Sequence, residues 1–337
     1  MKALVVHIGY PKTATTSIQL NLLAALHSAG KIEYLNHLNK ESDYLGPFYC
    51  RNVLNYVMSG EYTMDVEKEL NELKKIDSDI SVVSNENISF FCENFSWAYS
   101  SGKAVDNVQR LKEVFKDIFD EVKILMTLRC QLTMIPSFYT QQYFSIIGEQ
   151  PKFKDYGNWI TENFGNERSL ENLIFNYAEM YKAYKDSFGA ENVYVLLFED
   201  LKKDKRTSYG LLGQVFNVSI EFVYNTMVNA SQNISKKGKE SLYVDNPTLE
   251  KVIKNNVKLT LKKILPEDTI VTVGRLFKKL IPVSLLNKQI NKKVEVRALT
   301  AEEMLYLQSR FCDSNKKLAD ELSLDSKKLK EYGYILS

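Results

Sequence analysis

The residues with the clearest capacity for chemistry form the run 7–19, His-Ile-Gly-Tyr-Pro-Lys-Thr-Ala-Thr-Thr-Ser-Ile-Gln. The run follows an apolar stretch that predicts a buried strand, and it leads into a helical pattern. Backbone N–H groups and a helix N-terminus therefore face the turn. Lys12 adds a full positive charge, and hydroxyl groups follow at Thr13, Thr15 and Thr16. Together these groups predict a loop that binds an anion such as a phosphate.

This loop departs from the nucleoside-triphosphate (Walker A) pattern G-x-x-x-x-G-K-[ST], in which a second glycine stands directly before the lysine. Here Pro11 occupies that position, and Gly9 lies too close to Lys12 to be the first glycine of the pattern. A kinase or NTPase also needs a strand-end acid to hold Mg²⁺. The loop therefore fails the Walker A pattern, and the predicted strands end near Ser84, Arg129 and Glu199, none of which is an obvious acid of that kind.

The loop instead resembles the 5'-phosphosulfate-binding loop of sulfotransferases that use PAPS (3'-phosphoadenosine 5'-phosphosulfate), which has the form P-K-[TS]-[GA]-T-T. The resemblance implies that Lys12 stabilises charge on the bridging oxygen as the sulfuryl group leaves. Ala14 stands where glycine is commoner in the family, a change that a helical backbone at this position tolerates. The resemblance assigns the donor's 5'-phosphate to the loop residues Gly9, Pro11, Lys12, Thr13, Ala14, Thr15, Thr16 and Ser17.

A second motif that the resemblance implies follows the predicted strand 122–128. Family members place an Arg there and a Ser eight residues further on, both on the 3'-phosphate of the donor; here these are Arg129 and Ser137. A guanidinium can bind a phosphate through two parallel hydrogen bonds, and a hydroxyl about two helical turns away completes such a site. The spacing is informative only because it follows a buried strand in a chain with the first loop. An ion pair between Arg129 and a surface carboxylate is the alternative.

Two weaker similarities lie further along the chain. The predicted strand 193–198 ends in the acidic pair Glu199 and Asp200, as a late strand of sulfotransferases does, and we predict a structural turn and a helix N-cap there. Residues 229–238 stand where the family closes a loop over the donor; a solvated loop is the alternative. The resemblance places three residues of that segment at the 3'-phosphate, Lys236, Lys237 and Gly238.

Sulfuryl transfer to a hydroxyl or amine benefits from a general base beside the acceptor. Glu86 is the first candidate, because it lies just past the end of a predicted strand, where open α/β sheets place their sites. A carboxylate that only interacts with the amides of a helix start is the alternative for Glu86. His37 is the second candidate, since an unperturbed imidazole titrates near neutral pH, and Glu93 is the third. The mechanism that the resemblance implies requires no metal.

Strands and helices must bring these segments together. Alternating apolar and amphipathic patterns indicate an α/β fold, with a P-loop-like central parallel sheet flanked by helices. Short runs rich in Val, Ile and Leu predict buried parallel strands at 3–8, 80–83, 122–128 and 193–198. The patterns between and after them predict helices at 14–28, 106–119, 132–147, 170–188 and 205–216.

The rest of the chain is less regular. Turn residues within 31–79 predict helical excursions over the open ends of the strands. After Asn229 the pattern becomes helical and basic, with no further convincing buried strand and a last helix at 301–322. We predict a single domain, with an α/β core that holds the donor site over 1–235 and a mostly helical, basic section over 236–337.

Composition and charge limit the possible functions. Hydrophobic residues make up 45% of the chain and charged residues 26%, as in globular proteins with a sizeable core. The net charge of +2 conceals a basic region at 236–297 with 15 Lys/Arg against 6 Asp/Glu. Such a region attracts phosphates, anionic glycans or an anionic membrane surface, unless it is a set of solvated helix faces. The four cysteines lack CxxC spacing, which predicts free thiols, and the three histidines argue against a His-rich metal site.

We expect a cytoplasmic protein of bacterial type. No apolar run reaches the ~18 residues of a membrane span, and the first residues form a predicted strand in place of a signal peptide. The expected acceptor is a saccharide or glycoconjugate, anionic or lipid-linked, with no nucleic acid partner and with peripheral membrane contact left open. Aromatic residues at 44–62 and 138–144 could stack on sugar rings, or they could belong to the core.

The expected activity is sulfuryl transfer from PAPS, with PAP as the product. Two alternatives from other classes stay open at this point. One is a P-loop kinase or NTPase-like phosphotransferase that uses Mg²⁺. The other is a non-catalytic protein of the same fold that binds acidic glycans through the basic region.

Overall fold

The computed structural model describes residues 2–35, 50–90, 104–165, 175–228, 241–244 and 294–335. Within these ranges five parallel strands form one sheet in the order β2-β3-β1-β4-β5. The strands are β1 (Ala3–His7), β2 (Glu33–Tyr34), β3 (Ile80–Ser84), β4 (Glu121–Leu128) and β5 (Val193–Leu197). Helices flank the sheet, so the predicted α/β fold with a central parallel sheet is confirmed.

Burial explains why four of these strands could be predicted. All five residues of β1 are buried, and β3 and β4 are buried over most of their length. Strands that are covered on both faces read as continuous apolar runs. The observed bounds of these four strands lie within one residue of the predicted ones at each end. In contrast, β2 has only two residues and left no pattern in the sequence.

Helices make up most of the remaining described chain. The helix that follows the first loop contains a π-helical segment, whose wider turns are often found near functional sites. The bounds of Lys205–Phe216 and Ala301–Leu322 agree with the predicted ones. The α-helices are Thr15–Ser17, Ala24–Ser28, Arg51–Ser59, Met64–Lys74, Asn87–Phe90, Ala104–Phe115, Gln131–Glu149, Tyr156–Phe164, Tyr177–Phe188, Phe198–Lys203, Lys205–Phe216, Ile220–Met227, Ala301–Leu322 and Ser326–Tyr332. The π-helical segment is Ile18–Leu23, and 3₁₀ turns lie at Pro151–Lys154 and Ala190–Asn192.

An apolar core fixes the helix that follows the first loop against the sheet. Ile18, Leu22 and Leu26 lie on its inner face and pack with Val5 of β1 and Leu212 of the helix Lys205–Phe216. All five side chains are fully buried, and each such burial contributes about 1.5–3 kcal/mol. This packing holds the start of the helix, and with it the loop, at the edge of the sheet.

The order of the strands reverses beside β1. The chain leaves β1 towards β2 and β3 on one side and later adds β4 and β5 on the other side. Open α/β sheets bind ligands at the carboxyl ends of the strands next to such a reversal. The segments that follow β1, β3 and β4 therefore meet at the edge where a site is expected.

The chain divides into two compact units. The first contains the five-stranded sheet and comprises 1–134, 167–233 and 307–337; the second comprises 135–166 and 234–306. The second unit includes an antiparallel pair of short strands, β6 (Ser241–Val244) and β7 (Val294–Arg297), which the sequence analysis did not predict.

An aromatic cluster forms much of the interior described for the second unit. Tyr139 contacts the rings of Tyr143, Tyr156 and Trp159 at centroid distances of 4.4–5.7 Å. Phe138, Tyr139 and Tyr143 are each at most 3% exposed. These residues of the segment 138–144 therefore belong to the core and offer no stacking surface for a sugar.

Candidate active site

The loop that follows β1, residues 8–14, is hydrogen-bonded to β4 where it leaves the sheet. Its backbone continues the pairing beyond the strand, since Ile8 N donates to Leu125 O (2.9 Å) and Tyr10 N donates to Thr127 O (3.0 Å). On the other side, Ser89 Oγ donates to Ile8 O at 3.0 Å. The first half of loop 8–14 is thus fixed by β4 on one side and by the helix Asn87–Phe90, which follows β3, on the other.

Two residues of loop 8–14 adopt the left-handed region, Lys12 at φ 66° and Ala14 at φ 67°. Each costs about 1–2 kcal/mol for a residue with a side chain. Ala14 was expected to be tolerated on a helical backbone, but that condition is not met: the conformation there is left-handed, which explains why glycine suits this position better. Arg129 Nη1 donates to Lys12 O at 3.0 Å and so supports the strained turn.

Gly9 is required by the crowding of hydroxyl groups around it. A Cβ atom at this position would lie 2.4 Å from Thr127 Oγ1, 2.9 Å from Thr15 Oγ1 and 3.1 Å from Thr13 Oγ1. Two of these distances are below 3 Å, which real Cβ atoms essentially never show, so any side chain here would displace the hydroxyls of Thr127 and Thr15 and crowd that of Thr13. The glycine of the sequence motif therefore serves close packing around the loop.

The hydroxyl of Thr13 points into the interior beneath the loop. Its Oγ1 is buried, donates to Tyr10 O at 2.5 Å and lies 2.8 Å from Thr127 Oγ1. Thr127 in turn lies 3.5 Å from Nε2 of the buried His7. Nδ1 of that ring lies 2.7 Å from Ser84 Oγ. His7 therefore packs beneath the loop, between the ends of β3 and β4.

The imidazole of His7 is uncharged. Burial lowers its pKa from the ordinary 6.5 to about 3, because a charged ring would lose its hydration in the core. Gln19 completes the buried group from the helix side: its Nε2 donates to Ser84 Oγ at 2.9 Å and to Ser84 O at 3.2 Å. The region beneath loop 8–14 is consequently a set of neutral hydrogen bonds.

Glu86 faces the loop from the end of β3. Thr15 Oγ1 donates to Glu86 Oε2 at 3.3 Å, and Lys12 is close enough to act on the carboxyl group electrostatically. Burial raises the pKa of Glu86, while the Thr15 hydroxyl and the Lys12 charge lower it, and burial has the larger effect. A half-buried carboxyl group with a raised pKa is a stronger proton acceptor than an exposed glutamate, which suits a general base.

Arg129 lies at the end of β4 and is only 8% exposed. Besides Lys12 O, it contacts Thr133, whose Oγ1 accepts from Arg129 Nε at 2.9 Å. Its guanidinium carbon lies 4.7 Å from the centre of the Phe198 ring, and the ring therefore supports one face of the cation. Burial lowers the pKa of Arg129 and the nearby Glu199 carboxylate raises it, with burial the larger effect.

The acidic pair after β5 has a different role from the predicted one. Leu197 is the N-cap of the helix that contains the pair, and neither acid caps it. Glu199 instead accepts from Cys130 N at 3.0 Å and from Tyr334 Oη at 3.0 Å. Asp200 is buried and accepts from Tyr332 Oη at 2.9 Å. The prediction of a structural turn and N-cap is wrong, because both carboxylates bind the C-terminal segment.

The structure brings together some of the predicted site residues and leaves others apart. Gly9, Pro11, Lys12, Thr13, Ala14, Thr15, Thr16, Ser17, Glu86 and Arg129 all lie at the carboxyl edge of the sheet. Thr16 is exposed and Ser17 half-buried at the start of the helix. Ser137 lies in the helix Gln131–Glu149 and falls in the second compact unit, so its pairing with Arg129 stays a prediction. His37, Glu93, Lys236, Lys237 and Gly238 lie outside the described residues.

Several residues that shape the site were not found by sequence reasoning. Four of them are polar side chains whose partners lie far away in the chain: Gln19, Ser84, Thr127 and Tyr334. The fifth is Thr133, which accepts from Arg129, four residues earlier. The one usable sign was the presence of hydroxyl residues at the ends of otherwise apolar strands, as with Ser84 at the end of β3 and Thr127 near the end of β4. A polar group at such a position needs a hydrogen-bond partner.

Comparison with solved structures finds sulfotransferases that match this chain at low sequence identity. No family model and no curated protein matches the sequence. A sulfotransferase from Alicyclobacillus acidocaldarius matches with 13% identity and a TM-score of 0.41, over 86% of this chain and 100% of that one. A mouse sulfotransferase complexed with PAP matches with 14% identity and a TM-score of 0.46, over 99% of this chain and 88% of that one. The sulfotransferase domain of the Synechococcus PCC 7002 olefin synthase matches with 12% identity and a TM-score of 0.33, over 83% and 95%.

At these identities and TM-scores, the similarity transfers no activity and no residue role, so the chemistry of the site rests on its own side chains. Among the described residues, no group of three or more His, Cys, Asp or Glu could hold a metal ion. No helix in the described part of the chain is long and apolar enough to cross a membrane.

Proposed function

We propose that this chain is a sulfotransferase that moves a sulfuryl group from PAPS to a hydroxyl or amine group of an acceptor. One observation carries the proposal: at the carboxyl edge of the sheet, a strained loop presents Lys12, the carboxyl group of Glu86 faces that loop, and Arg129 binds the carbonyl of Lys12. A cation beside a leaving phosphate and a carboxylate beside an acceptor are the groups that in-line transfer needs.

The proposed step with a hydroxyl acceptor is a single displacement. The acceptor oxygen attacks the sulfur atom of PAPS, and its proton passes to Glu86. The bond between sulfur and the bridging oxygen breaks, and the electron pair stays on the 5'-phosphate of the departing PAP. Lys12 offsets the negative charge that develops on that oxygen, and the backbone amides of loop 8–14 bind the phosphate.

The hydroxyl of Thr13 favours this function over the phosphotransferase alternative. In a Walker A loop, the hydroxyl directly after the lysine binds Mg²⁺. Here that hydroxyl is fully buried, donates to Tyr10 O and contacts Thr127 Oγ1. It is therefore committed to holding the loop, which supports a donor whose phosphate is bound by Lys12 and the loop.

The proposed acceptor is a saccharide or glycoconjugate, and the proposed compartment is the cytoplasm. The support for an anionic or lipid-linked acceptor is the basic composition of 236–297, since the described aromatic residues of 138–144 belong to the core. Cys50, Cys130 and Cys312 are free and buried, which fits a reducing compartment.

Calorimetric titration with PAP, and separately with ATP and Mg²⁺, tests the donor site. We expect the wild-type protein to bind PAP, and Arg129→Ala to weaken that binding by about tenfold or more, since a guanidinium–phosphate contact is charge-assisted. Arg129→Lys keeps the charge but not the paired donors, so it should recover only part of the affinity. Response to ATP and Mg²⁺ without response to PAP would show that the chain is a phosphotransferase.

Transfer of radioactive sulfate from PAPS to a panel of saccharides, lipid-linked sugars and phenols then tests turnover. Labelled saccharide that is lost in Lys12→Ala supports the proposed acceptor class, whereas labelled phenols alone would overturn it. Tight PAP binding with no transfer to any acceptor would favour the non-catalytic glycan-binding alternative.

A further inference from the structure

The buried polar groups beneath loop 8–14 form a chain of hydrogen bonds whose direction can be worked out atom by atom. Thr13 Oγ1 must donate to Tyr10 O, because a carbonyl oxygen can only accept. Its single proton is then used, so the bond of 2.8 Å between Thr127 and Thr13 has Thr127 as the donor. Thr127 has no second proton to offer and must accept from Nε2 of His7, at 3.5 Å.

The tautomer of His7 also fixes the direction of the hydrogen bonds on the other side of the ring. A neutral imidazole that carries its proton on Nε2 has an unprotonated Nδ1, which can only accept. Ser84 Oγ, 2.7 Å away, is therefore the donor to Nδ1. Gln19 Nε2 donates to Ser84 Oγ in turn. The bonds run in one direction, from Gln19 through Ser84, His7 and Thr127 to Thr13 and the carbonyl of Tyr10.

We propose that His7 is a positioning residue for the sulfate-donor loop: as the neutral Nε2–H tautomer, it joins the end of β3 to Thr13 and so holds Lys12 in register with Glu86. This inference rests on the proposed function. The series of hydrogen bonds connects the two residues that matter for catalysis, since Ser84 is two residues before Glu86 and Thr13 is directly after Lys12.

Backbone strain is the reason why Thr13 has to be held. Its two neighbours, Lys12 and Ala14, both have positive φ angles. Strained conformations persist only where surrounding contacts over-determine them. If the bonds to Thr13 are lost, both neighbours can relax to the right-handed region, and the Lys12 side chain then leaves its position beside Glu86.

The first test reads the tautomer directly. The protein contains three histidines, so selective ¹⁵N labelling of histidine gives few ring signals, and His7→Gln assigns the one that belongs to His7. We expect the pattern of a neutral ring protonated at Nε2 at pH 7. A ring protonated at Nδ1, or a charged ring, would overturn the proposal whether or not the protein binds PAP.

The second test measures PAP affinity in matched variants. Thr127→Val keeps the shape of the side chain but removes the hydroxyl, and we expect about tenfold weaker binding of PAP. Thr127→Ser restores the hydroxyl and should return the affinity to within about twofold of wild type. Ser84→Ala removes a hydrogen bond on the opposite side of the His7 ring and should weaken PAP binding as much as Thr127→Val does. It replaces Thr127→Val as the test if Thr127→Val does not fold.

The control lies on the same strand as Ser84. The hydroxyl of Ser81 on β3 is buried and has no hydrogen-bond partner among the described residues. Ser81→Ala should therefore leave PAP affinity unchanged. Equal PAP affinity in Thr127→Val and wild type would overturn the role of His7 alone, whereas wild-type protein that does not bind PAP would overturn the proposed function as well.

Two replacements of His7 separate the two ring nitrogens. His7→Gln can present an N–H group near the position of Nε2, while His7→Asn can present an acceptor near the position of Nδ1. Because Thr13 is reached through Nε2, the Gln variant should bind PAP more tightly than the Asn variant. The reverse order would show that the link to Thr127 does not position the loop.

Discussion

Loop 8–14 and the region around Arg129 lie at the ends of neighbouring strands, β1 and β4, but they are stabilised by different kinds of groups. The bonds beneath loop 8–14 join neutral hydroxyl, amide and imidazole groups. The second region, which we call the Arg129 corner, consists of Arg129, Cys130, Phe198, Glu199 and Tyr334, and it places a cation and a carboxylate in the interior.

Desolvation explains the difference. Neutral groups lose little when they leave water, provided that each is hydrogen-bonded. Charged groups lose far more, and a buried pair needs further hydrogen bonds to be stable. Burial accordingly shifts the pKa of Arg129 down and that of Glu199 up, each towards its neutral form. The C-terminal Tyr334 and the backbone of Cys130 supply the additional bonds to Glu199.

The largest effect is expected from removing the charge of loop 8–14. Lys12→Ala should reduce transfer by about 10²–10³-fold or more, since a group that stabilises charge in the transition state contributes on that scale. The fold should be unaffected, which a thermal melt can check. Lys31→Ala, at an exposed position after the same helix, is the matched control and should transfer at the wild-type rate. Normal turnover by Lys12→Ala would contradict the proposed mechanism.

The next effect concerns the carboxyl group that faces the loop. Glu86→Gln should lower the transfer rate by about 10²–10⁴-fold and spare PAP binding, because a general base acts on the acceptor and not on the donor. Glu67→Gln, which changes an exposed carboxylate, is the control. A rate that Glu86→Gln leaves unchanged would shift the role of base to His37.

The dependence of the rate on pH checks the same carboxyl group. A base must be deprotonated to act, so transfer should fall as the pH drops through the pKa of Glu86. Burial raises this pKa, and the fall should therefore occur at a higher pH than for an exposed glutamate. The acidic limb should disappear from the residual activity of Glu86→Gln; a limb that persists there belongs to another group.

A smaller effect on PAP affinity is expected from removing a hydrogen bond within the Arg129 corner. Tyr334→Phe removes the hydroxyl that donates to Glu199 and should weaken PAP binding roughly fivefold, with a loss of about 1–2 kcal/mol in the free energy of unfolding. Tyr332→Phe removes a similar bond, to Asp200, from the same C-terminal segment. It should lose comparable stability while keeping PAP affinity. Equal affinity in both variants would mean that Glu199 does not position Arg129.

The smallest effect comes from the backbone strain in loop 8–14. Ala14→Gly should raise the free energy of unfolding by about 0.5–1 kcal/mol, since relief of the left-handed conformation exceeds the extra freedom of glycine in the unfolded chain. Ala24→Gly makes the same chemical change at a right-handed position, with φ −63°, and should lower it by about 1 kcal/mol. Chemical denaturation of the two variants tests whether the free energy of unfolding changes in opposite directions. A change in the same direction in both variants would contradict the backbone strain at Ala14.

Much of the α/β core could be predicted because its strands and helices are specified by residues that are close together in the sequence. The strands β1, β3, β4 and β5 are largely apolar runs. The helix Lys205–Phe216 is preceded by its N-cap, Asp204, whose side chain accepts from Thr207 N. Loop 8–14 was found because its residues are consecutive. β2 and the pair of β6 and β7 were missed, since two to four residues are too few to show a period.

The sequence by itself determined the strands of the sheet, the position of the loop after β1, and the residues Lys12, Glu86 and Arg129 at strand ends. Only the tertiary structure decided what supports them: the contacts of His7 with Ser84 and Thr127, the left-handed backbone at Ala14, and the use of Glu199 and Asp200 as partners of Tyr334 and Tyr332. The physical reason is distance along the chain. Apolar periodicity can be seen in neighbouring residues of the sequence. A hydrogen bond between groups more than a hundred residues apart, such as Thr13 and Thr127, leaves no pattern in the sequence, because only the folded sheet brings the two groups together.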